Sequence, residues 1–582
     1  MRVIIMPIFP LLLAGLCLSG CNSDSSNTAS NSSSSNNSTH TTSPTGQPTN
    51  NGATQVFTNG NIYTVNDTKP WAQAVAINNN KIVFVGSNEN VQQYIGSTTQ
   101  VIDLGGKMMM PGFHDVHMHP LESGSDATQF TIPQEASVDT YIALVQEAAL
   151  QNPTAQWLIG YGHNIGTLLE MSDSPLEVLD EAVPNRPVII MEQTSHSMWV
   201  NSKALELAGL HTQSIDPIGG VIGRDEQMRL DGILYDNAGN QVMELAMRSL
   251  SNAQQNDYLG LIEYTMPALN QAGITSISDA RTYWQRGHLE TWQRVADEDK
   301  LTLRVHLGLW AYPQMNDASQ ISKLKSFYQA SPDSLLKVNQ VKFYVDGILV
   351  NTTAAMHDPY HQNWLDLEGN KGLNYFTQAR LEQYIKALEP SGFNFNIHAI
   401  GDRGIHEALN AIENASAGKS RHRLTHLEVV DPADYARFNK LGVIADAQVA
   451  GDFTDPSHWP ENIPLLGAER SQDLVPIKSL VENQATLTLS SDWNVSPFNP
   501  FIGISNAISR TPQAITLSQA LEAYTLNSAY AMGQEHLVGS IEVGKLADLV
   551  VLDRNLFDST VKEIAETNVV MTLLDGEIVY KR

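Results

Sequence analysis

Two imidazoles stand one residue apart in Pro111-Gly112-Phe113-His114-Asp115-Val116-His117-Met118-His119-Pro120. On a strand, this spacing puts His117 and His119 on one side, roughly 6.6 Å apart, with Val116 and Met118 on the other. Paired imidazoles at a strand end suit a metal clamp; hydrogen-bonded histidines lining a barrel are the plainer alternative. The wider chain favours the clamp, because His398, His426 and Asp492 also fall at or near the C-terminal ends of strand-like segments. Such nitrogen and oxygen ligands suit Zn²⁺, as one or two ions, with Mn²⁺ or Fe²⁺ as further options. Both cysteines, Cys17 and Cys21, precede the folded part, so it has no disulfide and no thiolate ligand.

For these side chains to meet, several strands must aim their C-terminal ends at one place. Segments 273–280, 301–309, 338–347, 393–401, 422–430, 442–448 and 485–493 read as strands, and the opening stretch completes a set of eight. Helices lie between them, such as 379–389, where Leu381, Tyr384, Ile385 and Leu388 follow helical spacing before Pro390 ends it. The alternation predicts an α/β fold, a (β/α)₈ TIM barrel over 108–535 with its chemistry at the C-terminal strand ends. Strand parity sends Lys342, Tyr344 and Asp346 to the axis, and likewise Asn394, Asn396 and His398. The same reading groups Thr486, Thr488, Ser490 and Asp492, and puts His422, Leu424 and His426 on one face. Barrel interiors are ordinarily branched and apolar, so this polarity needs a cause, and a metal site supplies one.

Lys342 poses its own problem, since an ammonium turned into a barrel beside a dication would be repelled and desolvated. Two readings stay open. Reaction with CO₂ would give a carbamate able to bridge two metals; alternatively Lys342 pairs with Asp346 at the barrel floor.

Short strands at 55–107 and 536–582 can bury their faces only by pairing, which predicts a small composite β-sandwich from both ends of the chain. Its hairpins turn at Asn78-Asn79-Asn80 and at Asp575-Gly576. Residues about 121–265 separate the first strand from the next and read as a polar, helical insertion. The 582 residues carry a formal charge of -27, which argues against a nucleic-acid partner, and 42% hydrophobic residues suffice for a large core. No run after residue 20 is long enough to span a membrane. Arg2, an apolar stretch over 3–16 and Leu18-Ser19-Gly20-Cys21 resemble a bacterial lipoprotein signal with Cys21 lipidated; an ordinary secretory signal is the alternative. Asn22 is not the Asp of inner-membrane retention, which points to the outer membrane of a bacterial envelope, facing periplasm or exterior. Residues 22–54 are dominated by Ser, Thr and Asn and read as a disordered tether holding the body on the order of 30 Å from the lipid.

Taken with Val341-Lys342-Phe343-Tyr344-Val345-Asp346-Gly347, Ile397-His398-Ala399-Ile400-Gly401-Asp402-Arg403 and His422-Arg423-Leu424-Thr425-His426, the opening stretch resembles the amidohydrolase superfamily. The branch is amidohydrolase family 3, or YtcJ-like. The text from Thr194 to Leu210, Ser490-Ser491-Asp492-Trp493-Asn494-Val495 and Gly539-Ser540-Ile541-Glu542-Val543-Gly544-Lys545-Leu546-Ala547-Asp548-Leu549 belong to the same resemblance. It implies a metal-dependent barrel with a terminal β-sandwich that hydrolyses C–N bonds other than peptide bonds in a small molecule. It leaves room for a homodimer. Thr425 stands where similar proteins commonly carry an acidic residue, and Asn494 where a Pro is frequent. As in similar proteins, His196 and His163 of the insertion are candidates to reach the substrate; a capping or surface role is the alternative for each. Arg403 reads as an ion-pair member beside Asp402.

A divalent metal lowers the pKa of bound water from about 15.7 to about 7, giving hydroxide at neutral pH. The expected target is an amide, formamide or cyclic amidine carbon, with Asp492 carrying the proton to the leaving nitrogen. Two rivals use the same features: a lactonase or phosphotriesterase on the same metals, and a lipoprotein that binds its ligand without catalysis.

Overall fold

The computed structural model describes residues 52–124, 130–133, 135–250, 252–451 and 454–582. The signal segment with Cys21, and the tether up to residue 51, lie outside the described residues. No helix among the described residues is long and apolar enough to cross a membrane.

Eight strands form the centre: β1 (Phe113–Met118), β2 (Ile274–Thr282), β3 (Arg304–Trp310), β4 (Leu336–Tyr344), β5 (Asn394–Ala399), β6 (Arg423–His426), β7 (Ile444–Gln448) and β8 (Leu487–Ser490). They lie side by side in chain order, each neighbouring pair parallel. The sheet meets itself just past β8, where the Asp492 N–H donates to the His117 carbonyl at 2.8 Å and the His119 N–H to the Trp493 carbonyl at 2.5 Å. The seam of the barrel is therefore made by the backbone of candidate ligands. Closing the fold and bringing His117, His119 and Asp492 together are one event.

The outer faces carry the apolar parity of the strands. Phe343 packs with ring centroids 5.0 Å from Phe395 and 5.2 Å from Tyr384 of the helix Gln378–Leu388. That helix buries Leu381, Tyr384, Ile385 and Leu388, the residues its spacing marks. Each such side chain contributes about 1.5–3 kcal/mol on leaving water, which holds β4 and β5 in register while their alternate residues turn inward.

The insertion departs from the helical reading. It is built around a six-stranded sheet, Phe130–Thr131, Leu158–His163, Val188–Glu192, Ser197–Val200, Leu230–Asp236 and Gly220–Arg224 in spatial order. The strand Val188–Glu192 explains the difference, because its four apolar residues run without interruption and carry no period-2 signature. Ile189 joins one apolar cluster and Val188 and Ile190 the other, so both faces of this sheet are covered. The insertion leaves the barrel after β1 and returns before β2, which sets it over the C-terminal mouth.

At the opposite end of the barrel, strands from the two chain ends share a sheet. Met108–Pro111 pairs antiparallel with Leu549–Leu552, which pairs with Val569–Leu574. Since Met108–Pro111 lies in this sheet, the barrel begins at β1 rather than at residue 108. A second sheet, containing Gln55–Thr58 and Ala74–Asn78, contributes Phe57 and Ile77 to a core shared with Leu549 and Met571. Asn79 (φ 54°), Asp575 (φ 50°) and Gly576 (φ 80°) take the left-handed turns these hairpins require.

Arg304, the first residue of β3, fastens the sandwich to the barrel. Its Nε and Nη2 donate to Asp548 at 2.7 and 3.0 Å, and Nη2 reaches Asp575 at 2.6 Å. Arg304→Met would leave a buried Asp548 without its cation, a loss of about 3–5 kcal/mol. Urea unfolding should show this as a lower midpoint at unchanged slope; a change below about 1 kcal/mol would remove the clamp from the account.

Candidate metal centre

β1 places His117 and His119 on one side, as their spacing requires. Their Nε2 atoms lie 3.3 and 2.9 Å from a single oxygen, Asp492 Oδ1. One ligand atom from each of the three residues lies within 4.8 Å of the others, and all three residues are buried. Burial pushes His117 and His119 down, so both rings are neutral and each keeps a lone pair.

The hydrogen-bond partners say which nitrogen of His117 carries that lone pair. Thr425 Oγ1 donates its one proton to Asp446 Oδ2 at 2.8 Å, so it accepts at 2.9 Å from His117 Nδ1–H. Nε2 is then the nitrogen free to ligate a cation. Asp446 is held in turn by Thr488 and Ser490 of β8 and by Gln448 of β7. The residue that departs from the pattern of similar proteins thus passes the orienting role to a carboxylate one strand away. Substituting Thr425→Val should weaken metal binding about 10–100-fold. Chelator competition measures it, and unchanged affinity would sever the relay from the metal.

His119 has a separate support. Its Nδ1 lies 3.9 Å from Glu122 Oε2, and Arg281 grips that carboxylate through Nε at 2.9 Å and Nη2 at 2.8 Å.

His398 and His426 lie outside this group of three but next to it, with ring centroids 4.4 Å apart and that of His426 5.0 Å from that of His117. His398 Nε2 donates to the Gly347 carbonyl at 3.0 Å, which leaves its Nδ1 buried without a partner. His426 Nε2 is equally buried and unpartnered. Burial pushes His426 down to about 3 and His398 well below its ordinary value.

His426 reaches the axis by a route that parity does not give. His422 and Leu424 face outward, His422 against Phe395 and Leu424 in the helix-side core, while Arg423 and Thr425 point inward. At the strand end the backbone turns left-handed, φ 79° at His426 and 53° at Leu427, and this swings the imidazole in. A left-handed non-glycine residue costs on the order of 1–2 kcal/mol, a strain kept where function needs it.

Lys342 Nζ stands 3.1 Å from His117 Nε2, fully buried. Its amine is pushed well below the ordinary lysine value: burial does most of this, Asp492 opposes it, and Arg423 and Arg281 add to it. The alternative pairing with Asp346 does not form. The Asp346 carboxylate instead accepts backbone N–H groups of Ala355, Ile400 and Gly401 at 2.9, 3.1 and 2.8 Å.

His196 comes to the centre from the insertion, its ring 5.1 Å from that of His398 and 5.4 Å from Tyr344, which itself stacks on His398 at 4.1 Å. His163 does not; it lies buried within the insertion, 6.2 Å from Trp199. Arg403 pairs with Glu407 at 3.2 Å and bonds Asn374 at 2.6 Å, rather than pairing with Asp402.

These residues fit a divalent cation. His398 Nδ1, His426 Nε2 and Asp492 Oδ1 are buried without a well-directed hydrogen bond, each at a cost of about 1–3 kcal/mol in a dry interior. Lone pairs of neutral imidazole and carboxylate brought together, as at His117, His119 and Asp492, are what a metal satisfies together. Sequence reading missed Asp446, Glu122, Arg281 and Asp236. Asp446 carried a signal, for Ile444-Ala445-Asp446-Ala447-Gln448 alternates like the other axial strands.

Comparison with known proteins agrees. The Amidohydrolase family matches residues 100–580. The N-substituted formamide deformylase of Arthrobacter pascens is 26% identical, over 90% of this chain and 98% of its own. The putative amidohydrolase YtcJ of Bacillus subtilis is 27% identical, over 90% of this chain and 99% of its own. A solved metal-dependent hydrolase from Pyrococcus horikoshii shares the fold, with a TM-score of 0.69, 23% identity, and coverage of 87% of this chain and 99% of that one. With a family match running from before β1 to the last strand of the sandwich, this chain belongs to the amidohydrolase family.

Proposed function

We propose that this protein hydrolyses a non-peptide C–N bond of a small molecule: an amide, a formamide or a cyclic amide. The carrying observation is the buried Asp492 carboxylate, one oxygen of which sits between two neutral imidazole Nε2 atoms. His117, His119 and Asp492 would hold one cation, Zn²⁺ by the chemistry of the donors, and His398 with His426 a second. A bound cation supplies Lewis-acid polarisation of a carbonyl and a water acidic enough to be deprotonated near neutral pH. Asp492 Oδ1 orients between the histidines; Oδ2 is the oxygen left to take a proton and hand it to the departing nitrogen. Lys342, a neutral amine in a buried site, is suited to add CO₂, forming an N–C bond and releasing one proton to leave a carbamate. The relative named for formamide deformylation makes N-formyl compounds the first class to try.

The test is metal analysis of the purified protein, followed by N-formyl, N-acyl and cyclic amide panels run beside lactones and phosphotriesters. Bound metal and faster turnover of a C–N substrate are expected. A metal-free protein, or turnover confined to the ester panels, would overturn the proposal.

A further inference from the structure

The insertion supplies more than a cover for the barrel. His196 precedes the strand Ser197–Val200, and Asp236 ends the neighbouring strand Leu230–Asp236. Two bonds lock them: the Asp236 N–H donates to the His196 carbonyl at 2.7 Å, and the side chains meet with Nδ1 2.6 Å from Oδ1. The Tyr375 hydroxyl donates to the same Oδ1 at 3.0 Å, and Asn351 Nδ2 donates to the His196 carbonyl at 3.3 Å. Two residues of the loop that follows β4 thus hold a pair that belongs to the insertion. The approach is close, for a Cβ on Gly347 would stand 2.9 Å from Asp236 Oδ2.

The chemistry of the partners assigns the ring. A carboxylate only accepts, so Nδ1 carries a hydrogen, and in the neutral ring Nε2 keeps the lone pair. Nε2 has no partner among the described residues, while the ring lies beside those of His398 and Tyr344. An acceptor without a partner, set beside the candidate ligands, asks for a donor.

We infer that the His196–Asp236 pair reads an N–H on the substrate, so that the enzyme takes secondary amides, formamides or cyclic imides and rejects those whose nitrogen is fully alkylated. This rests on the proposed C–N hydrolysis. A site built to bond a substrate N–H rejects an analogue lacking it by about 10⁴–10⁵, because the acceptor is left unpaired in the complex. Asp236 acts as a positioning residue through His196.

The probes are N-butylformamide and N-butyl-N-methylformamide, compared by kcat/KM in the metal-loaded enzyme. Native protein should prefer the first by about 10⁴. His196→Ala should cut that preference at least about 100-fold while metal content stays native, and His196→Gln, which still offers an acceptor, should cut it less. Asp236→Asn, whose amide can either accept or donate, should lose part of the preference by freeing the tautomer. Adding it to His196→Ala should cost nothing more, a coupling that a merely structural Asp236 would not give. Turnover with an unchanged preference in His196→Ala overturns the pair's role alone. Turnover of neither probe by the native enzyme, together with failure of every amide in the panels, overturns the C–N reading itself.

Discussion

Asparagine in place of Asp492 should leave a protein that still binds metal but turns over about 10²–10⁴-fold more slowly, the range lost with a general acid or base. The substitution is nearly isosteric and keeps an oxygen where Oδ1 meets the imidazoles at 2.9 and 3.3 Å. It also leaves the backbone seam intact, because the bond from the residue 492 N–H to the His117 carbonyl at 2.8 Å does not involve the side chain. What it removes is a site that accepts a proton and returns it. Two measurements read the outcome: metal per chain, and kcat in single-turnover conditions so that product release does not mask chemistry. Full activity in Asp492→Asn would end the proton-carrier assignment. Metal lost in step with activity would make Asp492 a ligand first.

The strengths and failures of the sequence reading have physical causes. Alternation around Phe113–Met118 is enough to predict His117 and His119 on one side, and both rings do reach Asp492 Oδ1 although the strand shifts register against β2 between Asp115 and Met118. Lys342 was legible for a related reason: an ammonium on an inward parity has to be neutralised somehow, and the structure buries it. The same parity rule failed on β6, since a left-handed residue at the strand end is invisible to a two-residue period. It sent His422 inward and obtained His426 for the wrong reason. The Thr425–Asp446 relay escaped because its members come from β1, β6, β7 and β8, whose adjacency is a property of the closed barrel. The insertion's sheet was hidden by buried strands that read as plain apolar runs. The His196–Asp236 pair depends on that sheet, so Asp236 could not be named without it.

Lys342→Ala should reduce metal content from two ions per chain to one and lower kcat about 10³-fold, since a second cation is worth several kcal/mol to developing charge and each 1.36 kcal/mol is tenfold. Electrostatics sets the expectation. Two unit charges 4 Å apart repel by about 4 kcal/mol at an effective dielectric of 20, so two dications at the usual spacing face on the order of 16 kcal/mol. Asp492 is one anion against four positive charges, and the histidines are neutral. A neutral Lys342 amine adds nothing to that balance, and an ammonium 3.1 Å from His117 Nε2 would oppose the metal outright. A carbamate on Lys342 would add a second negative charge to the centre. The decisive comparison is therefore stoichiometric: native protein purified with bicarbonate should carry two metals, and Lys342→Ala one. A short carboxylate added to Lys342→Ala should restore part of both the second metal and the activity, because it fills the space the side chain vacates. Two metals retained by Lys342→Ala without any added anion would show that another group bridges them, and would return Lys342 to a structural role beside His117.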